Sequence, residues 1–289
     1  MTKVKTVNKT TKKARKIVQD IVAYTLLTLA CLAVICPFLI VLSISFKTDG
    51  AALRVPFRFF PERWQDINFK GYSAVVNNSD IWNGLKNTLI VVVPIMFIGV
   101  FTSALSAYAF AKIEFKAKGA MFSVLMFSMM LPGVITMTPA YVLYDMIGWT
   151  NTFLPLMIPN AFGTVSCMFY LRQYFRGLPN EMIEAAEIDG LGRFGAFIYI
   201  ILPLSKPALI AQLVLWFIAG YNDYMGPLLY LAEDRLFTLQ RVFQNFVGST
   251  TELPMVTACC IIMMIPTLLL YFFAQRQFIE GIVMTGMKD

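Results

Sequence analysis

Long apolar stretches separated by short polar segments dominate the chain. Crossing a bilayer core as a helix takes about 20 mostly apolar residues. Six stretches reach that length: Ala23–Phe46, Thr88–Ala111, Met121–Ala140, Leu154–Tyr174, Leu209–Leu231 and Met255–Phe278. Leu131-Pro132-Gly133 interrupts the third and predicts a kink or an early end. A short amphipathic piece over Tyr141–Ile147 is expected next, before a turn at Gly148. No counterpart to the Pro132-Gly133 break stands out in the other spans. The pattern predicts an all-α membrane protein with six transmembrane helices. It reads as one domain over 23–278, between a basic segment 1–22 and a short tail 279–289.

Composition supports lipid as the main solvent. Of 289 residues, 58% are hydrophobic and 14% charged, whereas a soluble domain carries about 25% charged residues. The mean hydropathy is +0.67. The 25 Phe and 17 Met suit lipid-facing and helix-packing positions. The net charge of +7 does not describe a nucleic-acid surface, because much of it is concentrated at one end. Lys3, Lys5, Lys9, Lys12, Lys13, Arg15 and Lys16 precede the first apolar run, with Asp20 the only acid before it. A basic head followed by an apolar stretch can be a cleaved signal peptide. Here the run is too long, no small-residue cleavage site closes it, and further spans follow, so it reads as a retained first helix.

Charge bias orients the spans, since cytoplasmic segments are enriched in Lys and Arg. Sixteen of the 24 basic residues fall in or beside the N-terminal segment, 112–120, 175–208 and 279–289. The loops 47–87 and 232–254 are nearly neutral. Both termini are therefore expected in the cytoplasm. Trp64 and Trp82 in loop 47–87 suit an interfacial aromatic belt, with contact to an external partner as the alternative.

The inventory of reactive groups excludes several classes of chemistry. There is no histidine, the commonest general base and metal ligand. Cys31, Cys36, Cys167, Cys259 and Cys260 lie in apolar runs and form no C-x-x-C pair, so neither a disulfide framework nor a zinc site is expected. No catalytic residue and no metal site is predicted. No G-x-x-x-x-G-K-[ST] phosphate loop is present.

One cytoplasmic segment is patterned beyond the needs of a connector. Residues 178–207 read LPNEMIEAAEIDGLGRFGAFIYIILPLSKP. Asn180 can N-cap a short helix whose first turns hold Glu181 and Glu184. Gly190 supplies a left-handed residue to end it. Met182, Ile183, Ala185, Ala186 and Ile188 make an apolar side. Glu181, Glu184 and Glu187 recur at three-residue spacing and lie near one another. A second helical piece is expected from Leu191 to Ile201, stopping at Leu202-Pro203. A helix lying on the inner membrane surface would carry Lys and Arg on its polar face. An acidic stripe instead suits a basic protein partner, and Ala185 and Ala186 let that partner approach closely.

This segment resembles the EAA loop of ABC importer permeases: Glu184-Ala185-Ala186, three residues, Gly190, nine residues, Ile200, one residue, Leu202-Pro203. Nearly the whole chain is similar to the carbohydrate-uptake, maltose-type branch, and within it to the subunit lacking the large external domain. Asn87-Thr88-Leu89 through Ala107-Tyr108-Ala109, the ending Phe278-Ile279-Glu280-Gly281, and Tyr221-Asn222-Asp223-Tyr224 carry the likeness, with Tyr221 where many relatives have Trp. The resemblance implies a bacterial or archaeal plasma-membrane complex. This chain would pair with a second homologous permease subunit, two ATP-binding subunits and an external solute-binding protein. It would hold no cofactor itself, ATP and magnesium being bound by the partner ATPase. The helix Glu181–Asp189 would sit in a cleft of one ATPase, with Glu184 paired to a basic residue there. Closure on ATP would push it and rock the spans. The tail Gly281–Asp289, with Gly281, Thr285 and Gly286, would reach the same ATPase; on its own it reads as a short flexible end. The cargo implied is a sugar or oligosaccharide, with a glycerol phosphate as the alternative.

Polar residues at membrane depth mark a candidate path. A carboxylate in a span costs roughly 2.5–3.5 kcal/mol on insertion scales, so it faces the bundle interior or water. Asn222 and Asp223 are the candidates. Asp223 could bond a sugar hydroxyl, gate the path or pair with a neighbouring helix. Asn87 and Asn160 are weaker candidates. The resemblance implies that the companion subunit makes most sugar contacts. Loop 232–254, with Arg235, Gln240, Arg241, Gln244 and Asn245, could face the binding protein. An ion-coupled secondary transporter would need coupling-ion sites and paired broken helices. An intramembrane enzyme would need a nucleophile–base pair. Neither pattern is evident.

Overall fold

A computed structural model describes residues 2–60, 67–250 and 252–286, with side chains between residues 15 and 275 of those ranges. Pro61 and Trp64 of the long loop lie outside the described residues. Helices carry the described chain, and no strand occurs among the described residues. The helices are α1 (Thr2–Ser45), α2 (Asp49–Ala52), α3 (Lys70–Val76), α4 (Ser79–Lys112), α5 (Lys118–Met129), α6 (Gly133–Met146), α7 (Leu154–Ala161) and α8 (Val165–Arg176). Then come α9 (Glu181–Ile188) and α10 (Arg193–Ala196), which runs through a π turn (Phe197–Ile201) into α11 (Leu202–Leu204). The last are α12 (Lys206–Tyr221), α13 (Met225–Tyr230), α14 (Leu239–Ser249) and α15 (Leu253–Gly286).

Four helical stretches are long and apolar enough to cross a membrane: Arg15–Ser45, Ser79–Lys112, Leu154–Arg176 and Leu253–Gln275. Two bent pairs could each add one. Lys118–Met129 and Gly133–Met146 meet at 97°, and Arg193–Leu204 and Lys206–Tyr221 at 80°. The Pro132-Gly133 break is present as expected. The piece at Tyr141–Ile147 is not separate, however: α6 runs unbroken from Gly133 to Met146, and the turn follows at Gly148 with φ +71°.

The expectation of a single broken span does not hold. The predicted fourth span breaks between α7 and α8, where Gly163 takes φ +89°. The Thr164 side chain then accepts from Cys167 N and opens α8. The fifth breaks after Tyr221, and Asp223 Oδ1 accepts from Gly226 N at 3.1 Å to open α13. Non-helical backbone at such depth is tolerated where protein or a cavity supplies its hydrogen bonds.

The chain divides into two compact units. One comprises Met1–Val75 and Thr250–Ile262. In it α1 continues through the basic segment as one helix, exposed or half-buried from Arg15 to Ile44 and buried only at Ser45. Ser45 bonds Tyr72 Oη at 2.8 Å, and Phe46 packs against Tyr72 at 5.0 Å and Phe69 at 5.5 Å. Gly71 lies so close to α15 that an added Cβ would stand 3.0 Å from the Pro254 carbonyl. Lys47 is 3% exposed. Its ammonium bonds the Arg58 carbonyl and sits 4.1 Å from the Phe57 ring centre, and burial lowers its pKa.

The other unit comprises Val76–Ser249 and Met263–Asp289, with α4 at its centre. Asn78 caps α4, its Oδ1 accepting from Asp80 N at 2.9 Å. Gly99, Ser103, Ala104 and Ala107 give α4 a small-residue stripe, which lets helices approach closely in a membrane. A Cβ on Gly99 would stand 2.6 Å from the Asn160 carbonyl and from the Trp216 ring. A Cβ on Gly163 would stand 2.5 Å from Ser103 Oγ, and that hydroxyl accepts from Thr164 N at 3.1 Å. Toward the far end, Tyr230 of α13 stacks on Tyr141 and meets Tyr144 edge-on, 5.4 Å away. Asn151 closes the loop there, accepting from the backbone N–H of Ala232 and Glu233 and donating to the Glu233 carboxylate.

Gly163→Ala is expected to cost at least about 1–2 kcal/mol from the left-handed backbone alone, with the Ser103 clash added. A thermal scan of the detergent-solubilised chain should show a lowered midpoint. An unchanged midpoint would refute this packing of α7–α8 on α4.

Candidate functional site

The cytoplasmic loop predicted from sequence folds as two helical pieces anchored at both ends. Helix α9 carries Glu181 and Glu184 in its first turn, where the helix dipole favours negative charge. Contrary to the expectation from sequence, Asn180 precedes it without capping it through its side chain. Its backbone is itself helical (φ −73°, ψ −28°). Its Oδ1 instead accepts from Lys112 Nζ at 2.7 Å, and the same ammonium bonds the Leu178 carbonyl at 2.6 Å. The last residue of α4 thereby holds the entry to α9.

The other end of α9 closes as predicted. Gly190 takes φ +86°. Its N–H donates to the Glu187 carbonyl at 3.1 Å, and Leu191 N–H donates to the Ala186 carbonyl at 2.9 Å. This paired closure satisfies two carbonyls that a helix end leaves free. No atom lies within 4 Å of a Cβ added at Gly190. Conformation, not space, therefore requires glycine there.

The expected apolar side of α9 is divided. Ala186 is buried and Ile183 half-buried, but Met182, Ala185 and Ile188 face outward with Glu181, Glu184 and Glu187. Ile188 is 87% exposed. Glu184 makes no ion pair among the described residues. The surface therefore offers three carboxylates beside exposed apolar groups, extended by Phe194 and Tyr199 of the second piece, both largely exposed.

That second piece is a plug. Phe197 is fully buried and Ile201 nearly so, in a core with Val100, Ala104 and Ala107 of α4 and Met168 and Leu171 of α8. The Phe197 ring lies 5.3 Å from Tyr108 and 5.9 Å from Phe101. Tyr108 Oη donates to the Arg193 carbonyl at 3.1 Å. The piece does not stop at Leu202-Pro203 but continues to Leu204. Proline has no N–H and its ring crowds the carbonyl four residues back. The wide π turn at Phe197–Ile201 gives that room, and the chain turns through 80° at Ser205. Ile200 and Leu202 are half-buried and Pro203 is exposed, just before the bend.

Gly281, Thr285 and Gly286 fall in the last turns of α15, whose backbone is helical through Gly286; their side chains lie outside the described residues, as do residues 287–289. In loop 232–254, Arg235 pairs with Glu233, which it holds below the usual carboxylate pKa together with the Asn151 amide. Gln244 and Asn245 are exposed. Arg241 lies 4.9 Å from the Phe237 ring centre.

A cavity of about 560 Å³ opens between α4, α7, α8 and α12. Asp223 and Asn160 both line it. Asn222 does not; its amide donates to the Ile218 carbonyl at 2.8 Å and its oxygen accepts from Gln240. Asn87 is also spent on structure, donating to the carbonyls of Arg235 and Phe237 at 2.9 and 3.0 Å. Sequence reasoning missed Gln212, Trp216 and Thr238, all on the cavity wall. Gln212 had a signal: it is the one amide inside the apolar helix α12.

Over residues 95–282 the chain matches the family described as "Binding-protein-dependent transport system inner membrane component". It is 28% identical over 270 residues to the sn-glycerol-3-phosphate transport system permease protein UgpE of Yersinia enterocolitica, covering 91% of this chain and 96% of that one. It is 29% identical over 269 residues to the diacetylchitobiose uptake system permease protein NgcG of Streptomyces coelicolor, covering 92% and 87%. Among solved structures, a chain of a bacterial ABC transporter involved in the import of the acidic polysaccharide alginate superposes with a TM-score of 0.76 at 22% identity, covering 91% of this chain and 98% of that one.

Two substitutions separate the roles within the loop. Phe197→Ala is expected to cost about 3–5 kcal/mol through lost burial and a cavity. Gly190→Ala should cost only about 1–2 kcal/mol, from backbone conformation. Thermal midpoints of the two purified variants should fall in that order; the reverse order would refute the plug.

Proposed function

Because the chain belongs to the family of binding-protein-dependent transport system inner membrane components, we propose that it is the permease subunit of an ATP-driven importer that carries a sugar or oligosaccharide. The observation that carries this reading is the family match itself, which encloses the whole loop 178–207. The exposed Glu184 and Ile188 supply the chemistry a docking surface needs. Diacetylchitobiose uptake by a relative of near full-length likeness supports a saccharide cargo. The glycerol phosphate relative favours a second reading, an anionic polyol phosphate.

The proposed arrangement has six spans with both termini cytoplasmic: α1, α4, α5–α6, α7–α8, α12–α13 and α15. Helix α9 and the α10–α11 piece lie on the cytoplasmic side between the fourth and fifth. Two ATP-binding subunits, a second permease and an external binding protein complete the complex. ATP and magnesium belong to the ATP-binding subunits, since this chain carries no phosphate loop. Glu184 meets a basic group of one ATPase, and Gly281, Thr285 and Gly286 at the end of α15 lie against the same subunit.

In this mechanism an ATP-driven push on α9 is delivered to α4 at three points. These are Lys112 on the Asn180 and Leu178 oxygens, Tyr108 on the Arg193 carbonyl, and the buried Phe197 ring. Helix α4 also walls the cavity through Thr88, Val91 and Val92. Movement of the docking surface therefore reaches the cavity through one continuous helix.

Glu184→Lys tests the docking role. Losing a desolvated interfacial charge pair should reduce ATPase co-purification and ATP-dependent uptake by about tenfold or more, with membrane insertion at the parental level. Retention of both activities would refute it.

A further inference from the structure

Where α5 begins and α8 ends, basic residues gather without acids to match them. Lys116 and Lys118 lie at the entry to α5, and Arg172 and Arg176 in the last turns of α8, which contains no Asp or Glu. Glu114, the acid of the α4–α5 connection, is taken by Lys118 at 2.8 Å. Arg172 and Arg176 stand four residues apart on one helix face, a spacing at which like charges destabilise a helix. Neither forms an ion pair among the described residues.

Arg172 is held as a fork with its tips free. Its guanidinium carbon lies 4.0 Å from the Phe122 ring centre, and its Nε donates to the Phe110 carbonyl at 3.1 Å. These two contacts fix the plane of the group. They leave both terminal nitrogens without a hydrogen-bond partner among the described residues. A planar guanidinium presents parallel N–H groups that match the oxygens of a phosphate. Phe122 in turn stacks on Phe169 at 6.3 Å and packs on Phe110 at 5.8 Å, so the fork rests on an aromatic floor.

The surroundings select an amphipathic anion. No residue of α5 is buried, and Met121, Val124 and Phe127 leave exposed apolar groups along it. In the proposed arrangement α5 and α8 are neighbouring antiparallel spans. Lys118 and Arg176 then lie one turn, about 5.4 Å, nearer the cytoplasm than the Arg172–Phe122 contact. An apolar wall at membrane depth followed by cations at the interface repeats the order of acyl chain and phosphate in a lipid. The cytoplasmic leaflet supplies anionic headgroups. An acidic protein segment would match the charges but not the bare apolar wall beside them.

We infer that the α5–α8 end binds one anionic phospholipid, with its phosphate on the Arg172 fork and Arg176 and its acyl chain along α5. Arg172 grips Phe110, two residues before the Lys112 that holds α9. The bound lipid therefore also stiffens the end of α4 from which α9 is held.

The test uses the full-length chain purified with its partner subunits in mixed micelles. The probes are dioleoylphosphatidylglycerol, dioleoylphosphatidylcholine and inorganic phosphate. Native mass spectrometry should show phosphatidylglycerol retained in preference to phosphatidylcholine, and it alone of the three should raise the thermal midpoint. Arg176→Gln removes an exposed group and should weaken phosphatidylglycerol retention about fivefold, the worth of one basic residue at an anionic bilayer surface. Arg172→Lys keeps the charge and loses the fork, and should also weaken retention. Lys206→Gln removes an exposed charge at the start of α12 and should leave retention at the parental level. An equal loss in Arg176→Gln and Lys206→Gln would overturn the site in favour of general surface charge. Equal stabilisation by inorganic phosphate would overturn the lipid as occupant. Parental lipid retention in Arg176→Gln with loss of a partner subunit would give this face to an acidic protein instead. None of these readouts involves solute or ATP, so their failure leaves the importer reading standing.

Discussion

The seat of the Phe197 ring between α4 and α8 is the contact on which the rest of the unit depends. It buries the middle of the otherwise exposed loop 178–207 and so fixes the attitude of α9. Close packing transmits displacement because interiors have few voids and low compressibility. The small residues of α4 serve the same end: Gly99, Ser103 and Ala104 bring its backbone against α7–α8 and Trp216. The proposed docking surface and the cavity wall are thereby parts of one packed body, joined by a helix of 34 residues.

The same packing accounts for the irregular backbone. Breaks at Gly163 and after Tyr221 leave peptide groups that lipid cannot satisfy. Ser103 meets Thr164 N, and the Ala161 carbonyl accepts from Thr102 Oγ1 at 2.9 Å. Asp223 meets Gly226 N. The broken spans are thus held by side chains from this unit. One carboxylate, Asp223, both closes a helix break and lines the cavity.

Much of this was legible in the sequence because it rests on local rules. Apolar run length marked the spans, Pro132 marked one bend, and Gly190 marked the end of α9 through a conformation that glycine adopts freely. What escaped depended on distant partners. Asn180 is a sound N-cap residue, but Lys112, 68 positions away, claims its oxygen. Gly163 reads as one more glycine in an apolar run until Ser103 is placed against it. The Leu202-Pro203 pair reads as a stop, yet the π turn one step earlier accommodates the proline. The cavity was half legible: Asp223 declared itself as a charge in an apolar run, whereas Thr238 looks like an ordinary loop threonine until the fold sets it on the cavity wall.

The central claim is that α9 and α4 move as one body when the ATPases close. Distances between spin labels at Ile188 on α9 and Ile98 on α4 test it directly, in a chain whose five native cysteines are replaced and which is assembled with its partners. Both sites are exposed, at 87% and 49%. The account predicts the same distance distribution in the nucleotide-free and ATP-bound complexes. A distribution that shifts between the two states would contradict it, because the loop would then be moving against the helix it is held to drive.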